Sequence, residues 1–169
     1  MLDIFSIILF ILPPYIANAI PVLFGGGTPI DLGMSAWDGR RILGDGKTLR
    51  GLFAGILAGI LTGYAEYTLL GRYELFIISV YSSCGAMFGD IVGSFIKRRM
   101  GMERGKPSFV MDQLLFIIFA LVFSYATLAE YIPSVLFPES VLFILLLTYL
   151  MHRGMNIVAN KLGLKKVPW

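Results

Sequence analysis

Five long apolar segments, each bounded by charged residues, dominate this sequence and leave little of it for any other structure. They cover about residues 4–24, 52–71, 74–96, 110–130 and 140–160. A helix needs roughly 20 mostly apolar residues to cross a bilayer, and it satisfies its own backbone polar groups there. Hydrophobic residues make up 57% of the 169-residue chain. We therefore predict an all-α integral membrane protein with five transmembrane helices and a single domain over residues 1–169.

The basic side chains predict how the chain is oriented in the membrane. Of its 14 Lys and Arg residues, all except Arg72 lie in segments 25–51 and 97–109 or near the C-terminus. Such an excess marks the cytoplasmic side, so we expect the N-terminus outside and the C-terminus in the cytoplasm. Several acidic residues fall on or near the same inner side: Asp31, Asp38, Asp45, Asp90, Glu103 and Asp112.

Residue counts exclude several other classes of site. The chain has one cysteine, Cys84, so it cannot form an intramolecular disulfide. Its one histidine, His152, argues against a zinc centre. The formal net charge of +3 is too small to indicate nucleic-acid binding.

Glycines recur at every fourth position in the second and third apolar segments. They are residues 51, 55, 59 and 63 in the former and 85, 89 and 93 in the latter. Small residues on one stripe let membrane helices approach closely, so we predict that both stripes are packing faces. Glu66 lies about 22 Å from the inner end of its segment, and we expect it to reach outward to the membrane surface.

A candidate site lies at the inner end of the third segment. Asp90, Ser94 and Lys97 follow at i, i+4 and i+7, which places them on one helix face, and Asp112 opens the next segment at the same membrane level. Carboxylates beside basic side chains suit Mg²⁺ and phosphate, because Mg²⁺ prefers oxygen ligands and Lys and Arg bind phosphate oxygens. An internal ion pair with a hydroxyl bonded to its own helix is the structural alternative.

The segment between the first two spans is a second candidate. It contains Gly46-Lys47-Thr48, but the P-loop motif needs glycine where this chain has Arg41. Glycines alternating with charge suit the close approach of a phosphate to the backbone. A solvated positive-inside loop explains the same pattern equally well.

The motif around Asp90 resembles the signature of the CDP-diacylglycerol synthases, membrane cytidylyltransferases that activate phosphatidic acid with CTP. The matching residues are Gly89-Asp90, Ser94-Phe95-Ile96-Lys97-Arg98 and Asp112. The chain departs from the bacterial pattern, because Lys106-Pro107-Ser108 and Asp112-Gln113 stand where that family has Pro-Gly-His-Gly-Gly and Asp-Arg. It is most similar to the compact archaeal CDP-archaeol synthases. That similarity adds Pro13-Pro14-Tyr15-Ile16-Ala17-Asn18, Asp38-Gly39-Arg40 and the segment from Gly44 to Gly51.

The resemblance implies a reaction in phospholipid biosynthesis. CMP would pass from CTP to an unsaturated archaeal ether-lipid phosphate, 2,3-bis-O-geranylgeranyl-sn-glycerol 1-phosphate, giving CDP-archaeol and pyrophosphate. A lipid phosphate is mostly ionised near neutral pH, since its second pKa is about 6, so it needs no general base. The partners are CTP, the isoprenoid lipid phosphate and membrane lipids, with no nucleic acid. We expect the active site at the cytoplasmic face of the cell membrane.

The candidate residues take roles from this chemistry. Asp90 and Asp112 are expected to hold Mg²⁺ and, with Lys97, to form the catalytic set. The expected substrate-binding residues are Ser94, Arg98, Lys106, Lys47, Arg50 and Asn18.

Three alternatives stay open. A small transporter would also bury polar groups, although no internal repeat is visible. A CDP-alcohol phosphotransferase would need Arg where Leu43 stands in its Asp-Gly-x-x-Ala-Arg pattern. An assembly protein would show no dependence on nucleotide.

Overall fold

The computed structural model describes residues 2–102, 108 and 111–161, without the side chains of residues 155, 156, 158 and 159. These residues form six α-helices and a 3-10 turn at Pro133–Leu136. The helices are α1 (Ile4–Phe24), α2 (Leu49–Leu70), α3 (Tyr73–Arg99), α4 (Leu115–Phe123), α5 (Tyr125–Tyr131) and α6 (Pro138–Lys161). The described residues contain no β-strand, only two isolated bridges between α1 and α2. The all-α prediction is confirmed for this part of the chain.

Three of the described helices, α1, α2 and α3, are long and apolar enough to cross a membrane. Their bounds lie within three residues of the first three predicted segments. The fourth predicted segment, 110–130, instead contains two short helices separated at Ser124. The five-span count and the orientation in the membrane therefore stay predictions.

The helices run back and forth between two ends of the bundle. We call the end where α3 finishes, at Arg99, the basic end. Asp112, just before α4, pairs with Lys97 at this end. The rings of Tyr73 and Tyr131 are 6.0 Å apart, so α5 finishes at the opposite end, where α3 begins. Together α4 and α5 cross the bundle in the direction opposite to α3.

Helix α6 returns toward the basic end. The Ser134 hydroxyl lies 3.3 Å from the carboxylate of Asp3, which puts the 3-10 turn beside the start of α1. Further along α6, Thr148 Oγ1 lies 2.7 Å from the Tyr15 hydroxyl, and the His152 ring lies 5.2 Å from that of Phe116 in α4. Among the described residues the helices thus pass between the two ends five times, with α4 and α5 sharing one pass.

The glycine stripes are packing faces, as predicted. A Cβ added at Gly55 would lie 2.6 Å from the Ala17 carbonyl oxygen in α1. A Cβ at Gly85 would overlap the carbonyl group of Phe119 in α4. Glycine is needed at these positions because backbone atoms of neighbouring helices occupy the space of a side chain.

The prediction for Glu66 is wrong. Its side chain does not reach outward, because the residue is only 8% exposed and lies with the glycines on the buried stripe of α2. Neither carboxylate oxygen has a hydrogen-bond partner within the described part of the chain. Counting residues along a helix locates Glu66 along the axis of α2 but does not give the face on which it lies.

Candidate active site at the basic end

Residues 25–48, which we call loop 1, fold around the carboxylate of Asp31. Arg41 donates to it through Nη2 at 2.6 Å and Nε at 3.2 Å. The backbone N–H groups of Gly33, Leu43 and Gly44 donate to the same carboxylate. The Arg41 guanidinium and then these backbone donors hold the pKa of Asp31 well below its usual range. A buried, fully bonded carboxylate thereby gives loop 1 a fixed shape without regular secondary structure.

The end of loop 1 places Lys47 beside Asp90 of α3. Helix α2 begins where the Thr48 hydroxyl accepts from the Gly51 N–H at 3.2 Å, a standard N-cap. Immediately before this cap, the Lys47 ammonium lies 2.5 Å from Asp90 Oδ2 on α3. The adjoining pocket has a volume of about 30 Å³, room for about one water-sized group. The enclosed space beside the pair is therefore smaller than a nucleotide.

A second ion pair lies further along the same helix. Lys97, seven residues after Asp90, pairs with Asp112, whose other oxygen accepts from the Ser108 N–H at 2.9 Å. Ser94 lies between them on α3 and is buried. The sequence predicted that Asp90, Ser94 and Lys97 lie on one helix face and that Asp112 opens the next segment at the same membrane level. The three residues lie on α3 at that spacing. Asp112 contacts Lys97 from the turn before α4, which begins at Leu115, and the membrane level stays a prediction.

The remaining predicted residues are less closely grouped. Arg50 donates from Nε to the Phe24 carbonyl oxygen at 2.8 Å. This hydrogen bond links the first turn of α2 to the last residue of α1. Arg98 has a buried Nε without a hydrogen-bond partner among the described residues. Asn18 is half-buried on α1, but the α1 residue that lines the pocket is Pro21. Lys106 lies outside the described residues.

Sequence reasoning missed Arg99, the last residue of α3. Its Nη1 lies 2.5 Å from Asp38 Oδ1, and its guanidinium carbon lies 5.5 Å from the centre of the Trp37 ring. Both partners belong to loop 1. The only available signal was the Asp38-Gly39-Arg40 turn, and nothing in it indicates a partner about 60 residues away.

Oxygen donors of the kind that Mg²⁺ prefers lie at this end. Asp90 and Asp112 supply carboxylates and Ser94 supplies a hydroxyl, and Mg²⁺ in proteins commonly takes one or two carboxylates and completes its shell with water and substrate phosphates. Over residues 2–102, 108 and 111–161, three or more Asp, Glu, His or Cys side chains nowhere gather into a metal-binding group. A magnesium ion held by these donors would take most of its ligands from water and substrate phosphates.

Comparison with known proteins identifies the family. The model of the CarS-like CDP-archaeol synthase family matches residues 1–169. This chain belongs to the CDP-archaeol synthase family. It is 50% identical to the CDP-archaeol synthase of Pyrococcus horikoshii in an alignment of 165 positions that covers 95% of this chain and 94% of that protein. It is 43% identical to that of Methanocaldococcus jannaschii, over 98% of this chain and 97% of that protein.

A solved structure agrees with this assignment. It is described as an intramembrane enzyme for archaeal membrane lipids biosynthesis and is 40% identical to this chain. The two superpose with a TM-score of 0.82 over 92% of this chain and 95% of that one. At this identity and coverage, the family membership extends to the fold of the whole bundle.

Proposed function

We propose that this chain transfers CMP from CTP to 2,3-bis-O-geranylgeranyl-sn-glycerol 1-phosphate, giving CDP-archaeol and pyrophosphate. The observation that carries the proposal is the pair of lysine–carboxylate contacts on α3, Lys47–Asp90 and Lys97–Asp112, in a chain whose full length matches the family. A transfer between two phosphate-bearing substrates requires cations and metal-binding carboxylates close together.

The charge of the reactants is the main barrier to the reaction. An oxygen of the lipid phosphate attacks the α-phosphorus of CTP, the bond between the α-phosphorus and its bridging oxygen to the β-phosphorus breaks, and pyrophosphate leaves with the electron pair. Lys97, Arg98 and Lys106 would bind the triphosphate and neutralise the departing charge. Lys47 and Arg50, with Asn18, would contact the lipid phosphate or the nucleotide. Positioning and electrostatic stabilisation thus replace acid–base catalysis.

Asp90 and Asp112 would hold Mg²⁺, with Ser94 bonding a phosphate oxygen or an ordered water. The cation would supply Lewis-acid stabilisation of charge on the phosphate oxygens. Each carboxylate is bonded to a lysine in the structure. Lys47 and Lys97 are therefore already beside the groups where phosphate oxygens would gather.

We further propose that the site faces the cytoplasm and that the bundle spans the membrane five times. The excess of Lys and Arg at the basic end supports the first point. The crossing of the bundle by α4 and α5 and the 24-residue length of α6 support the second. CTP is water-soluble and the lipid stays in the bilayer, so a site at the membrane surface is where the two can meet.

The decisive experiment is an assay with the full-length protein in detergent. CTP, ATP, GTP or UTP is supplied with the unsaturated ether-lipid phosphate or an ester phosphatidic acid, in Mg²⁺ or in EDTA, and the lipid product is identified by mass. We expect CDP-archaeol and equimolar pyrophosphate only with lipid phosphate, CTP and Mg²⁺. In a parallel reaction with a CDP-lipid and an alcohol acceptor, release of CMP would instead indicate a phosphotransferase. Lack of product under every condition would contradict the proposal.

A further inference from the structure

Arg40 of loop 1 and Arg99 of α3 bind one another's backbone. Arg40 Nη1 donates to the Arg99 carbonyl oxygen at 2.8 Å. In return, Arg99 Nη2 donates to the carbonyl oxygens of Arg40 at 3.2 Å and Arg41 at 2.5 Å. Arg99 Nη1 also pairs with Asp38 at 2.5 Å. We call Asp38, Arg40 and Arg99 the clasp, because their hydrogen bonds join loop 1 to the last turn of α3.

The clasp depends on the directions of its hydrogen bonds as well as on the charges of its side chains. The Arg99 side chain is 15% exposed and that of Asp38 is 25% exposed, so solvent screens their contact only partly. The planar guanidinium serves one carboxylate and two carbonyl groups at once, which an ammonium group on a flexible stem cannot reproduce with the same directions. Its carbon also lies 5.2 Å from the centre of the Phe95 ring, which restricts the side chain further.

Loop 1 is attached to α3 at a second point, the Lys47–Asp90 pair. Asp90 and Arg99 are nine residues apart on one helix, or about 14 Å along its axis. The chain between the two attachments is itself connected: Arg41 binds Asp31, Asp31 accepts from Gly44 N–H, and Gly44 accepts from Lys47 N–H at 3.3 Å. These hydrogen bonds connect the clasp to the segment that carries Lys47.

We propose that Arg99 is a positioning residue. Through the clasp it fixes the position of the Lys47 ammonium relative to the Asp90 carboxylate. Arg99 acts through loop 1 and not by contact with the reacting phosphates. The inference rests on the proposed function only for the consequence in catalysis, since the clasp itself is defined by contacts within the chain.

The kinetic test compares Arg99→Gln, Arg99→Lys, Asp38→Asn and the double variant Asp38→Asn/Arg99→Gln. Displacement of catalytic groups by about 1 Å costs on the order of a hundredfold in rate, so we expect kcat to fall about 10- to 100-fold in every variant. The double variant should be no slower than Arg99→Gln, because both changes open the same contact.

The control is Arg72→Gln. It removes an ion pair with Glu74 at the other end of α3 and should keep wild-type kcat. Wild-type kcat in Arg99→Lys would overturn the proposal, because it would show that only the positive charge at this position matters.

The second test needs no catalysis. Trypsin cleaves after Arg40 and Arg41, and the clasp holds both residues in the folded loop. Cleavage of loop 1 should be several-fold faster in the Arg99 and Asp38 variants than in the wild type or Arg72→Gln. Wild-type cleavage rates in all clasp variants would overturn the proposal, and Asp38→Asn keeps the test available if Arg99→Gln fails to fold. If the wild-type protein makes no CDP-lipid, the proposed function fails, while the cleavage rates still decide whether the clasp holds loop 1.

Discussion

Each candidate metal-binding carboxylate is bonded to one lysine, and this affects what its substitution would do. The side chains of Asp90 and Lys47 are 25% and 27% exposed, and those of Asp112 and Lys97 are 37% and 16% exposed. Ion pairs that keep this much access to water lie between exposed pairs, which contribute little to stability, and buried pairs, whose loss is costly. A lysine left without its partner can be hydrated, so the fold should tolerate loss of either carboxylate. Activity and stability can therefore be separated at these positions.

Replacing Asp90 or Asp112 with Asn tests the metal site. Each change keeps the side-chain shape but removes a charge and a hard oxygen ligand, so turnover should fall about a thousandfold. The wild-type protein should melt at a higher temperature in Mg²⁺ than in EDTA, and the variants should show little such difference. Glu74→Gln at the far end of α3 is the control and should keep turnover. A folded Asp90→Asn protein that turns over CTP at the wild-type rate would refute the assignment.

The lowered pKa of Asp31 predicts how the stability of the fold depends on pH. Its pKa is lowered in the folded protein, so its contribution is complete above the unfolded-state pKa of about 3.9 and is lost as the pH falls below that value toward the folded-state pKa. Asp31→Asn should lower the free energy of unfolding by about 2 kcal/mol near pH 6. Its melting temperature should fall less steeply than that of the wild type between pH 5 and about 3. Parallel pH profiles would show that Asp31 does not act as the centre of loop 1.

Residue-scale prediction from sequence succeeded where contacts are local. The i, i+4, i+7 spacing correctly grouped Asp90, Ser94 and Lys97 because helical geometry fixes such neighbours. The Lys47–Asp90 and Arg99–Asp38 pairs join residues 43 and 61 positions apart. Their positions depend on the irregular path of loop 1, which no periodic pattern encodes.

The long helices were the most predictable elements. Apolar length alone gave the bounds of α1, α2 and α3 within three residues, and α3 extends through Arg99 because cations are favourable at a helix C-terminus. The interruption at Ser124 was not predicted. No Gly or Pro marks it, and the buried Ser124 Oγ has no hydrogen-bond partner in the part of the chain that the structure describes.

The contact between α3 and α4 can be tested with one methyl group. In Gly85→Ala the new Cβ would overlap the carbonyl of Phe119 and lie 2.9 Å from the Ala120 Cα. Because backbone atoms cannot yield, we expect a loss of about 1–3 kcal/mol in stability. Gly154→Ala in α6 is the matched control, since its Cβ meets nothing within 4 Å and should leave stability equal or slightly higher. Equal melting temperatures for the two variants would contradict close packing at Gly85.

The described part of the molecule concentrates its basic side chains at one end of a long apolar bundle. Tyr73 of α3 and Asp3 before α1 lie at the same end as the 3-10 turn after α5. The basic end carries Lys97, Arg98 and Arg99 in the last turn of α3 and the basic residues of loop 1. Fold class follows from composition and apolar length, but the number of membrane crossings depends on whether the interrupted α4–α5 pair behaves as one span.

Tags at the two termini test the complete topology. With five spans and the basic end in the cytoplasm, a tag before Met1 and a tag after Trp169 lie on opposite sides of the membrane. In vesicles with the cytoplasmic face inside, external protease should remove the N-terminal tag and spare the C-terminal one. Detergent should expose both tags, which controls for intrinsic resistance to cleavage. Cleavage or protection of both tags in sealed vesicles would require an even number of spans, and the α4–α5 pair would then be the crossing to reject.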